Sequence, residues 1–416
     1  MSSEKSNLSR RELLKTAAAC GAASVLAAAG KVGLGQTAAA GSAASQPASD
    51  AAVPLVPRRK FGKTGLEVSS LALGGIFDIT ANQLVLKQAM KWGIDYWDTA
   101  ASYTGGKSEL GIGMFFGASP AERKRVFLVT KSTDGDKLEE SLNTSLERMK
   151  TDYVDMFFIH GVGRASQIEG RAAAWKTFVH KAKAAKKIRH FGFSSHSNMA
   201  ECLQAASKLG FIDGIMFTYN FRTMAQDDTK AALEAATKAG IGLTAMKTQA
   251  KRSKGGEDPA ALAPLDRFTQ KGFSAEQAAL KAVWEDERIA SVCSAMYTLN
   301  VLQSNYLAAI DRTQLTAADR VALREYAQAS CSQYCAGCAD LCQSAVAGAP
   351  PIADVMRYLM YHREYGLAAD ARRMFAELPS AARAVLARGD FSAAERRCPQ
   401  RIAIGELMRE ACEVLA

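Results

Sequence analysis

The stretch Cys331-Ser-Gln-Tyr-Cys335-Ala-Gly-Cys338-Ala-Asp-Leu-Cys342 puts four of the chain's nine cysteines into twelve residues. Thiolates at this density suit a soft metal or an iron–sulfur cluster, and the remote pair Cys398-Pro399 offers a fifth sulfur. Zinc would also accept four thiolates, but structural zinc sites more often separate their ligand pairs by a dozen residues or more. Disulfides are the third reading. Cys335 and Cys338 are too close in sequence for a bridge of much entropic value, and a chain with a large core has little need of one. Cys202, Cys293 and Cys412 read as small buried hydrophobes, and Cys20 as part of a removable leader.

The elements that must position this chemistry follow from the apolar periodicity. From Arg59 on, eight short apolar runs, LALGG (71–75), YWDTA (96–100), VFLVTK (126–131), VDMFFIHG (154–161), IRHFGFSS (188–195), GIMFTYN (214–220), GLTAMK (242–247) and ASVCSAM (290–296), alternate with segments long enough for crossover helices. Buried parallel strands separated by helices, repeated eight times, predict an α/β fold, a closed (β/α)8 TIM barrel, more than an open doubly wound sheet. No Gly-x-Gly-x-x-Gly follows the first strand, and Gly111-Ile-Gly113 lacks the third glycine. In a barrel the chemistry sits at the C-terminal ends of the strands, which selects Asp98, Lys131, His160 and Ser194-Ser195.

WDTAASYTGGKSE, VTK and FFIHG, in this order at successive strand ends, resemble the motifs of the aldo/keto reductases, as do the opening RKFGKTGLEVSSLALGG and the later GFSS. The resemblance spans roughly residues 59–310 and implies Asp98, Tyr103, Lys131 and His160 as the catalytic set, acting on a small carbonyl or alcohol substrate with NADP(H). The chemistry can also be argued without the name. Hydride addition to a carbonyl leaves an alkoxide that needs a proton, and a tyrosine with a pKa near 10 gives one only if its phenolate is stabilised. Lys131 would stabilise it, Asp98 would hold the lysine, and His160 would orient the substrate oxygen.

For the cofactor, the resemblance implies contacts from Ser194, Ser195, Lys247 and Asn305. The sequence departs from the family's usual residues here: the Ser-Asn pair reads Ser194-Ser195, Met216 replaces a glutamine, and Met246-Lys247 stands near the usual stacking aromatic. After the eighth strand no basic residue is offered to a 2′-phosphate.

Beyond Thr316 the barrel pattern ends. The mostly helical, cysteine-rich remainder (314–416) resembles the ferredoxin-like extension of one branch of the family, which carries a 4Fe-4S cluster. The run Cys-x3-Cys-x2-Cys-x3-Cys has one residue more than a ferredoxin run, and Cys398-Pro399 supplies the expected Cys-Pro. Arg388, Phe391 and Ala394 occupy the positions a second cluster would need as cysteines, so one cluster is expected. Its ligands are either Cys331, Cys335, Cys338 and Cys342, or three of these with Cys398.

The N-terminus, Ser9-Arg10-Arg11-Glu12-Leu13-Leu14-Lys15 followed by an alanine-rich run, reads as a twin-arginine export signal over residues 1–40. Residues 41–57 then form a flexible lead-in to a barrel over 58–313, and the destination is the periplasm. Removing residues 1–40 lowers the formal charge from +10 to +7. That spread and mild excess argues against a nucleic-acid partner, and the leader's apolar run is too short for a membrane span. The competing reading is a barrel that has lost nicotinamide binding and passes electrons from the cluster to a redox partner.

Overall fold

In the computed structural model, which describes residues 53–133, 135–251 and 259–416, a short antiparallel hairpin opens the fold. Its strands are β1 (Arg58–Lys60) and β2 (Glu67–Ser69). The export signature lies outside the described residues. Eight parallel strands then close on themselves: β3 (Leu71–Gly74), β4 (Tyr96–Asp98), β5 (Phe127–Thr133), β6 (Val154–His160), β7 (Ile188–Ser195), β8 (Gly214–Thr218), β9 (Gly242–Met246) and β10 (Ile289–Ala295). They pair in chain order, and β10 returns to β3, so the expected (β/α)8 barrel is the observed one.

The crossovers are α1 (Gln83–Lys91), α2 (Lys107–Ala118), α3 (Leu138–Met149), α4 (Ala165–Ala184), α5 (Met199–Ser207), α6 (Asp227–Lys238) and α7 (Ala275–Trp284), and α8 (Leu299–Ile310) follows the last strand. Ser274 starts α7 with a reciprocal capping box to Gln277.

Side-chain parity explains both layers of the core. Side chains alternate across a strand, so Trp97, Leu128, Phe157 and Ile159 face the helices, while Tyr96, Val129, Met156 and Phe158 fill the barrel. Phe61, fully buried in the hairpin turn, joins this inner cluster and packs edge-on to Tyr96 at a centroid distance of 6.3 Å. Continuing the inward parity by one step brings Asp98, Lys131 and His160 to the upper end.

Two close approaches require glycine. A Cβ on Gly113 would stand 2.0 Å from the Arg148 carbonyl oxygen, and one on Gly192 would stand 1.7 Å from that of Gly214. Gly113 therefore lets α2 lie against α3. The Gly-Ile-Gly pair is a packing device and not part of a nucleotide fingerprint.

After α8 the chain forms α9 (Ala317–Ala329), α10 (Ile352–Glu364), α11 (Ala368–Ala376), α12 (Ser380–Arg388) and α13 (Ile404–Val414). Thr316 and Asp319 form a capping box at the start of α9, and Asp319 is also held by Arg267 (2.5 Å) and Lys271 (2.6 Å). α10 to α13 bury an apolar core of their own. Leu315, Leu323 and Tyr334 meanwhile share a cluster with Phe221 and Phe268 of the barrel. Barrel and extension belong to one compact unit, Val53–Ala416. No helix among the described residues is long and apolar enough to cross a membrane.

Candidate active site

At the upper end of the barrel the Lys131 Nζ donates to Asp98 Oδ1 (2.5 Å) and to the Thr99 carbonyl (2.8 Å), and stands 3.5 Å from the Tyr103 hydroxyl. The Lys131 and Asp98 side chains are 1% and 3% exposed, so the ion pair lies beyond the reach of solvent screening. Tyr103 opens a tight turn in which Thr104, Gly105 and Gly106 all have positive φ (48°, 65° and 91°). Arg148 Nη1 holds the approach to this turn through the Ala101 carbonyl (3.2 Å), and is itself anchored on the buried Glu109 (3.1 Å). The His160 ring meets Tyr103 edge-on at 5.6 Å. The four residues selected from strand ends and motif are thus brought together.

Burial dominates their proton affinities. It pushes the Asp98 carboxyl up, against the opposing pull of Lys131. Burial, with the Asp98 charge, raises the Tyr103 phenol well above its ordinary value. The His160 imidazole falls to about 3, first because it is desolvated and then because Lys131, Arg357 and Lys247 surround it with positive charge. His160 is therefore neutral at ordinary pH, and Tyr103 keeps its proton.

Arg357 marks what the sequence reading missed. The extension's α10, with Tyr365 just past its end, reaches over the barrel mouth and adds Arg357, Tyr361 and Tyr365. Lys247 sits 4.5 Å from the Tyr361 ring centroid and 4.7 Å from that of Tyr365. Burial acts to raise the Tyr361 phenol, but the Lys247 and Arg357 charges outweigh it and bring it below its usual value. These three side chains recur every four residues and so share one helical face. His196, read from sequence as a loop polar residue, also lines the cleft beside Tyr103 and shares a 3.3 Å contact with the Thr218 hydroxyl.

A cleft of about 270 Å³ leads from Asp98 and Tyr103 past Lys247, Thr248 and Gln249 to Ser294 and Asn305. Of the expected cofactor contacts, Lys247 and Asn305 line it. Ser194 and Ser195 do not: the Ser194 hydroxyl accepts from the Gly161 N–H (3.1 Å), and the Ser195 hydroxyl donates to the Ser197 carbonyl (3.0 Å). Cys293 is buried as expected, and it also lines the cleft beside Asp98.

The cysteines resolve into four and one. Cys335, Cys338, Cys342 and Cys398 line a single small pocket closed by Ile352 and Met356 of α10, and Cys331 is not part of it. All are free thiols. Burial, reinforced by the neighbouring cysteines, pushes Cys335 up to about 12 and Cys342 up to about 11. Among the described residues no group of three or more His, Cys, Asp or Glu side chains stands at the spacing of a metal-ion site.

Residues 72–292 match the model of the aldo/keto reductase family. The chain belongs to that family. It is 30% identical over 179 residues to aldo-keto reductase yakc [NADP(+)] of Schizosaccharomyces pombe, covering 40% of this chain and 49% of that protein. To the uncharacterized oxidoreductase YrpG of Bacillus subtilis it is 25% identical over 224 residues, 47% of this chain and 68% of that one. The match thus spans about half of the first of these relatives and two thirds of the second. An aldo-keto reductase from Bacillus halodurans, solved in its holo form, shares the fold with a TM-score of 0.54 at 21% identity. That likeness covers 96% of the Bacillus chain but 65% of this one. Every catalytic candidate of this aldo/keto reductase lies inside the family match, whereas Arg357, Tyr361 and the cysteine pocket lie beyond it.

Proposed function

We propose that this aldo/keto reductase-like oxidoreductase reduces a carbonyl compound, or oxidises the matching alcohol, with Tyr103 as the proton donor and acceptor. The observation that carries the reading is the Lys131 ammonium held 2.5 Å from Asp98 and 3.5 Å from the Tyr103 hydroxyl in a buried site. The cleft suits a nicotinamide nucleotide. It is long, it joins Tyr103, and it offers donors from Thr248, Gln249, Lys251, Ser294 and Asn305 to phosphate and base. Bound there, NADP(H) supplies or accepts the hydride.

The chain's own part is proton management. A carbonyl oxygen set between Tyr103 and His160 receives a hydrogen bond from each, because the imidazole is neutral and can donate through one ring nitrogen. As negative charge grows on that oxygen, the Tyr103 O–H bond breaks and its proton moves to the oxygen. The nascent phenolate is stabilised by Lys131, whose ammonium Asp98 and the Thr99 carbonyl fix in place. In the reverse direction the Tyr103 phenolate takes the proton back.

We read the four-thiol pocket as a 4Fe-4S site because four cysteines, three local and one remote, line one small pocket closed by apolar side chains. Cys335, Cys338, Cys342 and Cys398 would hold the cluster, and Cys331 would not. The twin-arginine signature supports export to the periplasm of a folded, cofactor-loaded protein.

Tyr103→Phe tests the mechanism: carbonyl reduction with NADPH should fall by at least about 100-fold with NADPH binding retained, and unchanged turnover refutes the assignment. The electron-carrier reading draws on one observation, that Ser194 and Ser195 face backbone and not the cleft. It gains if NADPH fails to quench the protein's fluorescence while dithionite bleaches a visible cluster band.

A further inference from the structure

Beside the catalytic cleft, a second cavity of about 40 Å³ opens between the barrel and α10. That is room for on the order of three waters, or for one small oxyanion. Arg357, Lys247 and Lys251 line it together with His196, Thr218 and Tyr334, and no carboxylate does. The polar groups here can all donate. Tyr334 Oη accepts from the Asn220 amide (2.7 Å), which leaves its own proton free. The neutral His196 has one nitrogen engaged with Thr218 and the other available.

The carboxylates nearby lie to the sides. Asp354 pairs with Arg357 at 2.8 Å from the outer face, where it is 40% exposed against 16% for the arginine, and Asp98, Glu276 and Glu364 belong to the adjoining cleft. Lys247, Lys251 and His196 line both cavities, so the small one is a side chamber of the active site.

We infer that this chamber binds a carboxylate carried by the substrate, so that the reactive carbonyl compound is an oxo acid, anchored by Arg357 of the extension while its carbonyl oxygen meets Tyr103 and His160. The shared lining supports the connection: Lys247, Lys251 and His196 border the chamber and also the cleft that holds Tyr103. A guanidinium is suited to a planar carboxylate, and three cations with no carboxylate among the lining residues favour an anion over a neutral amide or hydroxyl. The inference rests on the reductase reading for what the carboxylate is attached to, but not for its binding.

The rival source of an oxyanion is the diphosphate of the nicotinamide nucleotide. Arg357 separates the two, because it lines the chamber and not the long cleft. The full chain is titrated with acetate, with neutral acetamide at matched ionic strength, and with NADPH, following broadening of the probes' methyl proton signals and quenching of protein fluorescence. Acetate should bind and acetamide should not. Arg357→Gln should weaken acetate by about tenfold or more, with Arg357→Lys intermediate, and leave NADPH quenching unchanged. Because Asp354 is half open to solvent, the glutamine variant strands no buried charge; should it nevertheless fail to fold, Tyr334→Phe should still weaken acetate several-fold.

In turnover, Arg357→Gln should raise KM for pyruvate by a clearly larger factor than KM for acetone. Equal binding of acetate and acetamide, or acetate binding untouched by Arg357→Gln, overturns the inference. So does a loss of NADPH affinity matching the loss of acetate, since the anion would then be the nucleotide's. If neither pyruvate nor acetone is reduced, the reductase reading fails and the acetate titration still decides the chamber.

Discussion

Replacing Asp98 by asparagine keeps the shape of the side chain and removes the charge opposite Lys131. At 2.5 Å, with an effective dielectric constant of about 20, the pair attracts by about 7 kcal/mol, against a desolvation cost of several kcal/mol for each ion. The net worth of the intact pair is therefore small, but the two halves are not separable. With Asp98→Asn the ammonium stays 99% buried, held by the Thr99 carbonyl and the Tyr103 hydroxyl, and a stranded buried charge costs about 3–5 kcal/mol. Urea unfolding of the full chain, followed by tryptophan fluorescence at pH 7, should show a loss of that size. The double variant Asp98→Asn with Lys131→Met should recover most of the stability and none of the carbonyl reduction. If Asp98→Asn unfolds within about 1 kcal/mol of the parent at pH 7, Lys131 does not depend on this pair and its role toward Tyr103 is wrong.

His160 is neutral when folded, with a pKa of about 3 against 6.5 for the free side chain. Its contribution to stability is complete above about pH 6.5 and is lost as pH falls toward 3, so His160→Gln should flatten thermal stability between pH 6 and 4; an unchanged slope refutes the assignment. Tyr103, raised well above 10, should produce no loss of kcat/KM between pH 7 and 9. Gly192→Ala should cost more than about 3 kcal/mol or prevent folding, since its Cβ meets the Gly214 carbonyl at 1.7 Å, whereas Gly210→Ala, with nothing within 4 Å, should be tolerated in the same unfolding assay. Cys398→Ser should lower acid-labile sulfide and iron in anaerobically purified protein, and Cys331→Ser should leave both unchanged. Equal loss in the two variants contradicts the four-and-one division of the cysteines.

The barrel and the grouping of the four candidate residues were legible because both depend on local pattern. Alternation along β4, β5 and β6 forces Tyr96, Val129 and Phe158 inward, and the next inward position on β4 and β5 is Asp98 and Lys131, with His160 two beyond Phe158. Position at a strand end did not settle direction of use, however. Ser194 and Ser195 stand where a ligand contact belongs, yet their hydroxyls satisfy the Gly161 N–H and the Ser197 carbonyl, which no pattern of residue types reveals.

The extension's role was hidden for a different reason. Arg357, Tyr361 and Tyr365 reach the site through docking between segments more than a hundred residues apart in sequence, and their own helix carries an ordinary amphipathic pattern. Docking also decided the cysteines: Cys331 belongs to the local run but Cys398 faces the same pocket, since α10 supplies Ile352 and Met356 as its wall. One helix thus serves both centres, lining the thiol pocket with its first turns and the barrel mouth with its last. Met356 walls the thiol pocket and Arg357, the next residue, lines the side chamber, so the two cavities share one stretch of helix.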